Sequence, residues 1–263
     1  MTEVGSLVDR IGARLHPTRD DTAILPVSPA VVYEGETLIA AMMLAADIAS
    51  GIRLHDGEVT MVLTTSFSLH RTAMPTVGPV TVTSTRLFAD DKRVVDRVTC
   101  HNDSGATVAS GRIAFVTRRY DVESPAPIPG DVLSRYRTPW TDPIQEPLAV
   151  AAGIETVDPA IGRVELHAGD GVRRKGGIVQ GAFVTLLGEA SALALAEHTL
   201  REPAVVTSLA VDFLAAVGAD AATTEARWLD TPGASMIEVV LRSDPTGSAL
   251  AVFVVEVARA RTR

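Results

Sequence analysis

The sequence predicts an α+β fold built from two tandem copies of one unit, each a long central helix followed by antiparallel strands. Three observations carry this. Features of the first half recur in the second at a constant offset. Each half contains one almost wholly apolar helical stretch and then alternating strands joined by turn residues. A proline-dense segment separates the halves. The 263 residues, 46% hydrophobic and 21% charged, suffice for a substantial core in one large domain or two smaller ones.

The offset is 142 residues. Asp47, in LAADIAS, falls on Glu189, in LLGEASA, since 189 − 47 = 142. At the same shift Thr65-Ser66 meets Thr207-Ser208, Leu87 meets Leu229, Gly105 meets Gly247 and Ala109 meets Ala251, with no gap needed between helix and final strand. Helix, turn and strand features in one register point to duplication.

A short strand opens each half, Ala23 to Pro26 and Arg163 to His167. A long helix follows, about Glu36 to Gly51 and Gly181 to His198. In the second helix Ala182, Leu186, Glu189 and Leu193 recur at three- or four-residue spacing, which places one stripe inward. Few polar residues occupy its other faces, as in a helix buried all round. The strands after it are Val59 to His70, Val80 to Phe88 and Val94 to Val116 in the first half. In the second they are Val205 to Phe213, Ala222 to Leu229 and Met236 to Val257. Asn102-Asp103-Ser104-Gly105 and Asp244-Pro245-Thr246-Gly247 break the last run of each half into a hairpin.

One buried helix with an antiparallel meander is α+β, and two such units side by side would pair their sheets edge to edge. The units are expected at residues 1–120 and 151–263. Residues 121–150 between them hold Pro125, Pro127, Pro129, Pro139, Pro143 and Pro147. Proline at this density removes donors and disfavours helix and central strand, so the segment reads as an extended linker over the surface.

Composition narrows the function. The formal net charge is −8 and no basic patch stands out, so nucleic acid is not an expected partner. Local arginines can still hold an anionic ligand. The one cysteine, Cys100, excludes an internal disulfide and reads as a small buried hydrophobe. The opening MTEVGSLVDRIGARLH carries spread charges and no apolar run, and stretches such as Leu38 to Ala46 are too short to span a bilayer. No signal peptide, no membrane partner and a cytoplasmic location are therefore expected. The six histidines show no metal-ligand spacing, and neither a Gly-rich phosphate loop nor a G-x-S-x-G elbow is present. Neither a metal nor another cofactor is expected.

The run Gly-Ile-Val-Gln-Gly-Ala-Phe-Val-Thr-Leu-Leu-Gly-Glu-Ala, Gly177 to Ala190, resembles the signature of hotdog-fold acyl-CoA thioesterases of the 4-hydroxybenzoyl-CoA and phenylacetyl-CoA type. Their pattern is roughly G-x-x-H-G-G, six residues, Asp or Glu, then Ala. Gly177, Gly181 and Glu189 match it, Gln180 stands where the family usually has His, and Ala182 replaces the second Gly. Downstream, Val206 to Val217 resembles the family strand ending in F-L-x-x-V. The resemblance covers most of residues 153 to 260. In the first half Asp47 holds the carboxylate position and Gly35 matches Gly177, but Leu38 and Ile39 replace the polar residue and the glycine. The resemblance implies a double hotdog, each sheet wrapping its central helix, with an acyl-CoA substrate and assembly into a homo-oligomer.

The residue types suit thioester chemistry. Gly181 would open its helix, where its N–H has no intrahelical acceptor and the helix dipole adds positive potential. A thioester carbonyl placed there is polarised, and glycine leaves room for the acyl group. Gln180 could supply a second donor. Hydrolysis then needs a carboxylate as base or nucleophile. Glu189 lies eight residues past Gly181, about 12 Å along one helix at roughly 1.5 Å per residue. The carboxylate serving Gly181 must therefore come from the other helix, as the family takes it from the partner subunit.

Two sites follow: Gln180 and Gly181 with Asp47, and Leu38 and Ile39 with Glu189. The first is expected to be active and the second degenerate. Gly177, Ser66, Thr207 and Ser208 are candidates for substrate contact. The competing structural role for either carboxylate is a hydrogen bond to a strand hydroxyl such as Ser66 or Ser208. A hotdog dehydratase would need a D-x-N-P-x-H-like stretch, which is absent; a non-catalytic acyl or acyl-CoA binding protein stays open. Few aromatics (4%) favour an aliphatic acyl group.

Overall fold

The structure, a computed structural model, describes residues 7–54, 60–72, 78–119, 136–138, 143–167, 172, 178–218, 222–244 and 246–260. The first half runs α1 (Leu7–Ile11), β1 (Arg14–His16), β2 (Arg19–Leu25), β3 (Val32–Tyr33), β4 (Glu36–Thr37), α2 (Ile39–Gly51), β5 (Thr60–Arg71), β6 (Val80–Ala89), β7 (Arg93–His101) and β8 (Thr107–Arg119). The second runs α3 (Leu148–Ala151), β9 (Ile154–Asp158), β10 (Arg163–Leu166), α4 (Gly181–Leu200), β11 (Ala204–Phe213), β12 (Ala222–Trp228), β13 (Met236–Ser243) and β14 (Ala249–Arg259).

Twelve strands form one antiparallel sheet ordered β1-β2-β6-β7-β8-β5-β11-β14-β13-β12-β10-β9. Read outward from the central pair, both halves follow the same path: β5, β8, β7, β6, β2, β1 on one side and β11, β14, β13, β12, β10, β9 on the other. The halves join where β11 pairs with β5, Ala210 facing Ser68 and Ser208 facing His70. Pairing there removes what would otherwise be an exposed edge on each half.

Both long helices lie against this sheet and against each other. Every residue of α2 is buried, Asp47 and Ser50 included. An all-round apolar sequence has nowhere else to go. In α4 the core face includes Phe183, Leu186 and Leu187, each no more than 2% exposed. At Gly188 the Phe253 ring presses so close that an added Cβ would lie 2.4 Å from Cδ1, so only glycine fits.

The 142-residue offset reappears in the geometry. β5 bulges at Thr65 and β11 at Thr207, and each threonine donates to a carbonyl on the next strand, Thr65 to Ala114 and Thr207 to Glu256. Gly105 and Gly247 both take positive φ, 79° and 65°. The expectation of a gap-free register fails at one strand. Arg97 of β7 pairs with Arg112, and its counterpart on β13 is Glu238, paired with Val254. Here 254 − 112 = 142 but 238 − 97 = 141. A bulge at Leu87 in β6, absent from the β12–β13 pairing, accounts for the slip.

The first helix starts later than expected. Residues Val32 to Thr37 form a tight hairpin instead, with Glu34 and Gly35 at φ 48° and 80°, the backbone of a type I′ turn. Strands β1 and β9 and the short helices α1 and α3 were not expected. Of the proline-rich segment, residues 120–135 and 139–142 lie outside the described residues. Its end is helical in α3, and Ile144 and Leu148, each 2% exposed, anchor it in the core.

Candidate active site

Gln180 is the N-cap of α4. Its backbone is extended (φ −69°, ψ 139°), and its Oε1 accepts from the Ala182 N–H at 2.7 Å. An N-cap oxygen on the second helical N–H satisfies one of the donors that every helix start leaves open. With the amide oxygen so committed, Nε2 points the other way and donates to Asp47 Oδ2 at 3.1 Å. Asp47 Oδ1 accepts from Thr64 Oγ1 at 2.9 Å.

Asp47 is thus held between a strand of its own half and the helix start of the other half. Gly181 follows directly, at the first helical position. A Cβ there would meet Met43 Cε at 3.3 Å and Phe213 Cζ at 3.6 Å, so these two side chains close the space into which a larger residue would project. Met43 lies one turn before Asp47 on α2, which puts both on the face turned toward the start of α4.

The pseudo-equivalent position is built differently. Glu189 is 2% exposed, and its Oε1 and Oε2 accept from the N–H groups of Ile39 (3.0 Å) and Ala40 (2.9 Å). Leu38 gives α2 no side-chain cap. The carboxylate of the other half supplies it, at the positive end of the helix dipole. Burial pushes the Glu189 carboxyl above its usual range, opposed by these two N–H groups and by the Arg71 guanidinium.

Arg71 itself donates to Val206 O at 2.7 Å and to Thr37 O, and pairs with Glu36 at 3.4 Å. The cavity beside Glu189 measures about 10 Å³, room for one water at most. The two arrangements are reciprocal: α2's carboxylate meets the start of α4, and α4's carboxylate meets the start of α2. Where the helices cross, Thr185 Oγ1 donates to Met43 Sδ at 2.8 Å, and 185 − 43 = 142. Equivalent residues touch each other on a pseudo-twofold axis.

The other candidates separate from this centre. Ser208 Oγ bonds His70 Nδ1 at 2.6 Å across the β5–β11 seam. Thr207 is tied to the Glu256 carbonyl at 3.2 Å. Ser66 faces Ala114 and Asp212 on the neighbouring strands. The hydroxyl on Asp47 is that of Thr64. Val62 and Thr64 share the inward face with Phe67 and Leu69 because the bulge at Thr65 resets the alternation. Gly177 lies outside the described residues.

One further buried carboxylate, Asp96, is answered by Ser84 (2.8 Å), Arg53 (3.1 Å) and Arg86. Cys100 is wholly buried. Among the described residues no group of three or more His, Cys, Asp and Glu could hold a metal, and no helix is long and apolar enough to cross a membrane.

No protein-family model matches the sequence, and no curated protein matches it either. Solved structures do match. An acyl-ACP thioesterase from Bacteroides thetaiotaomicron superposes with a TM-score of 0.62 at 13% identity, covering 90% of this chain and 97% of that one. A tesB protein from Mycobacterium avium subsp. paratuberculosis gives 0.62 at 16% identity, covering 97% and 98%. A protein of unknown function with a hot dog fold from Alicyclobacillus acidocaldarius gives 0.60 at 14% identity, covering 99% and 100%. The chain therefore has the hotdog fold over essentially its whole length, the fold these thioesterases share.

Proposed function

We propose that the chain is a double hotdog thioester hydrolase, with units at 1–120 and 151–263 and a linker at 121–150, working through one of its two pseudo-equivalent sites. The observation that carries this is the 3.1 Å hydrogen bond between Gln180 and Asp47, which fixes a carboxylate of one half at the open helix end of the other. The structural neighbours named as thioesterases support the reaction class, and the Gly177 to Ala190 motif supports acyl-CoA as the substrate.

In this reading the thioester carbonyl oxygen lies on the Gly181 N–H, and Met43 and Phe213 flank the acyl group. Asp47 takes a proton from water as the water oxygen bonds to the carbonyl carbon. The C–S bond then breaks, and the proton passes from Asp47 to the leaving thiolate. Gln180 holds Asp47 and caps α4; one of its two amide hydrogens is committed to the carboxylate. Glu189 fills its own site and serves as a helix cap. The test is hydrolysis of a panel of short, long and aromatic acyl-CoAs by the wild type and by Asp47→Asn.

A second reading is a non-catalytic acyl-CoA binder. It is favoured by the hydrogen bonds on both Asp47 oxygens, which a purely structural clasp would also make. Tight binding across the panel with no turnover would select it.

A further inference from the structure

Strands β5 to β8 carry seven arginines and a single aspartate, Asp96, in a chain of net charge −8. The matching strands β11 to β14 carry three arginines and four carboxylates. No long run of basic residues betrays this, because the arginines are scattered one to three to a strand and only the sheet assembles them.

Two of them face each other. Arg97 and Arg112 are cross-strand partners on β7 and β8. They alternate with Val98 and Ile113, which are buried at 0% and 1% exposure, so both side chains point to the outer face of the sheet, away from the helices. Among the described residues no carboxylate pairs with either. Like charges directly opposite on neighbouring strands destabilise a sheet. The second half avoids the problem: the counterpart of Arg97 is Glu238, which pairs with Arg227 at 2.7 Å.

Around the two arginines lies a groove of about 380 Å³ lined by Ser68, His70, Leu87, Arg97, Ser110 and Arg112. Its floor is tight. At Gly111 an added Cβ would lie 1.8 Å from the Ser68 carbonyl oxygen, so β8 presses onto β5 as only glycine permits. Leu87, the bulged residue of β6, forms part of the groove wall.

We infer that this groove is a binding site for a phosphate-bearing anion, clamped between the Arg97 and Arg112 guanidiniums with the Ser68 and Ser110 hydroxyls and the His70 ring within the same groove. Two guanidiniums offer forked donors that match phosphate oxygens, and a dianion between them turns repulsion into attraction. The groove opens on the outer face of the sheet, whereas Asp47 and Gln180 meet on the inner face, so the site is separate from the proposed hydrolytic centre. It stands whether or not that centre hydrolyses thioesters.

The test is thermal unfolding of the full chain in chloride at constant ionic strength, titrated with inorganic phosphate and, separately, with adenosine monophosphate. A saturable rise in Tm is expected. Arg97→Ala and Arg112→Ala each weaken the apparent affinity by about tenfold or more, the loss of a charge-assisted contact, while Arg227→Ala leaves it unchanged. Without phosphate, Arg97→Ala is at least as stable as the wild type. A larger effect of the nucleotide assigns the ligand to phosphate esters, and equal effects assign it to free phosphate. In the wild type alone, either probe should protect Arg97 and Arg112, but not Arg227, from phenylglyoxal. No saturable shift, a shift that survives both substitutions, or equal modification of all three arginines overturns the site.

Discussion

Asp47 and Gln180 stand 133 positions apart in sequence and 3.1 Å apart at the carboxylate–amide contact. Neither half contains that contact by itself. It exists because the two halves, which follow the same strand path, join across the β5–β11 seam with their long helices packed together. Its counterpart, Glu189 on Ile39 and Ala40, follows the same symmetry with a different outcome: there the carboxylate sits on the helix end that a substrate carbonyl would need.

Glu189 is predicted to matter for stability. Removing it leaves two buried N–H groups uncapped and Arg71 without the nearby charge. Glu189→Ala should cost roughly 3–5 kcal/mol, the range for breaking a buried charged partnership, read as a lower midpoint in urea. Activity per folded molecule should stay near wild type. A variant that unfolds normally but loses turnover would return Glu189 to the chemistry.

Gln180 is predicted to act by position. Gln180→Ala loses the cap of α4, worth about 1 kcal/mol, and frees Asp47. The kcat should fall while KM changes little, because the lost contact orients a reacting group rather than binding substrate. A rise in KM alone would mean that Gln180 touches substrate instead.

Gly188 is predicted to reject even a methyl group. Gly188→Ala drives a Cβ into the Phe253 ring and should destabilise by about 1–3 kcal/mol, as overpacked cores do. Equal stability in a denaturant titration would mean that Phe253 can swing aside.

Cys100 gives a pH dependence with a definite sign. Burial pushes its thiol up to about 12, against about 8.5 for an unfolded chain. Below pH 8.5 both states are neutral and the contribution is fully present. Between about 8.5 and 12 only the unfolded state ionises, so stability falls as pH rises, by on the order of 4 kcal/mol over the whole window. Cys100→Ala should flatten that part of the stability–pH curve. The native thiol should also resist iodoacetamide at pH 8, and rapid alkylation without unfolding would contradict this.

Much of this was legible in the sequence. The offset that matched Asp47 with Glu189 and Gly105 with Gly247 anticipated two halves with one strand path, and helical rise together with the motif of Gly177 to Ala190 pointed to Asp47 as the carboxylate beside Gln180 and Gly181, where the contact is found. Bulges hid the rest. The extra residue at Thr65 turns Thr64 inward, where unbroken alternation from Phe67 and Leu69 would place Thr65. The one at Leu87 slips β7 by a residue against the 142 offset, so the position opposite Arg112 holds Arg97 where the offset from Glu238 names Asp96. A bulge leaves no composition signal, and neither does a helix capped by a carboxylate from 150 positions away. Nothing in Glu189 itself says that its partners are backbone amides.

The most direct test is the kcat/KM of Asp47→Asn on the best acyl-CoA of the panel. Asparagine can keep both contacts, its oxygen toward Gln180 and its amide toward Thr64, so Tm should hardly move. Without a base, hydrolysis should drop by about 10²–10⁴-fold. A folded Asp47→Asn protein that turns over at the wild-type rate would contradict the assignment.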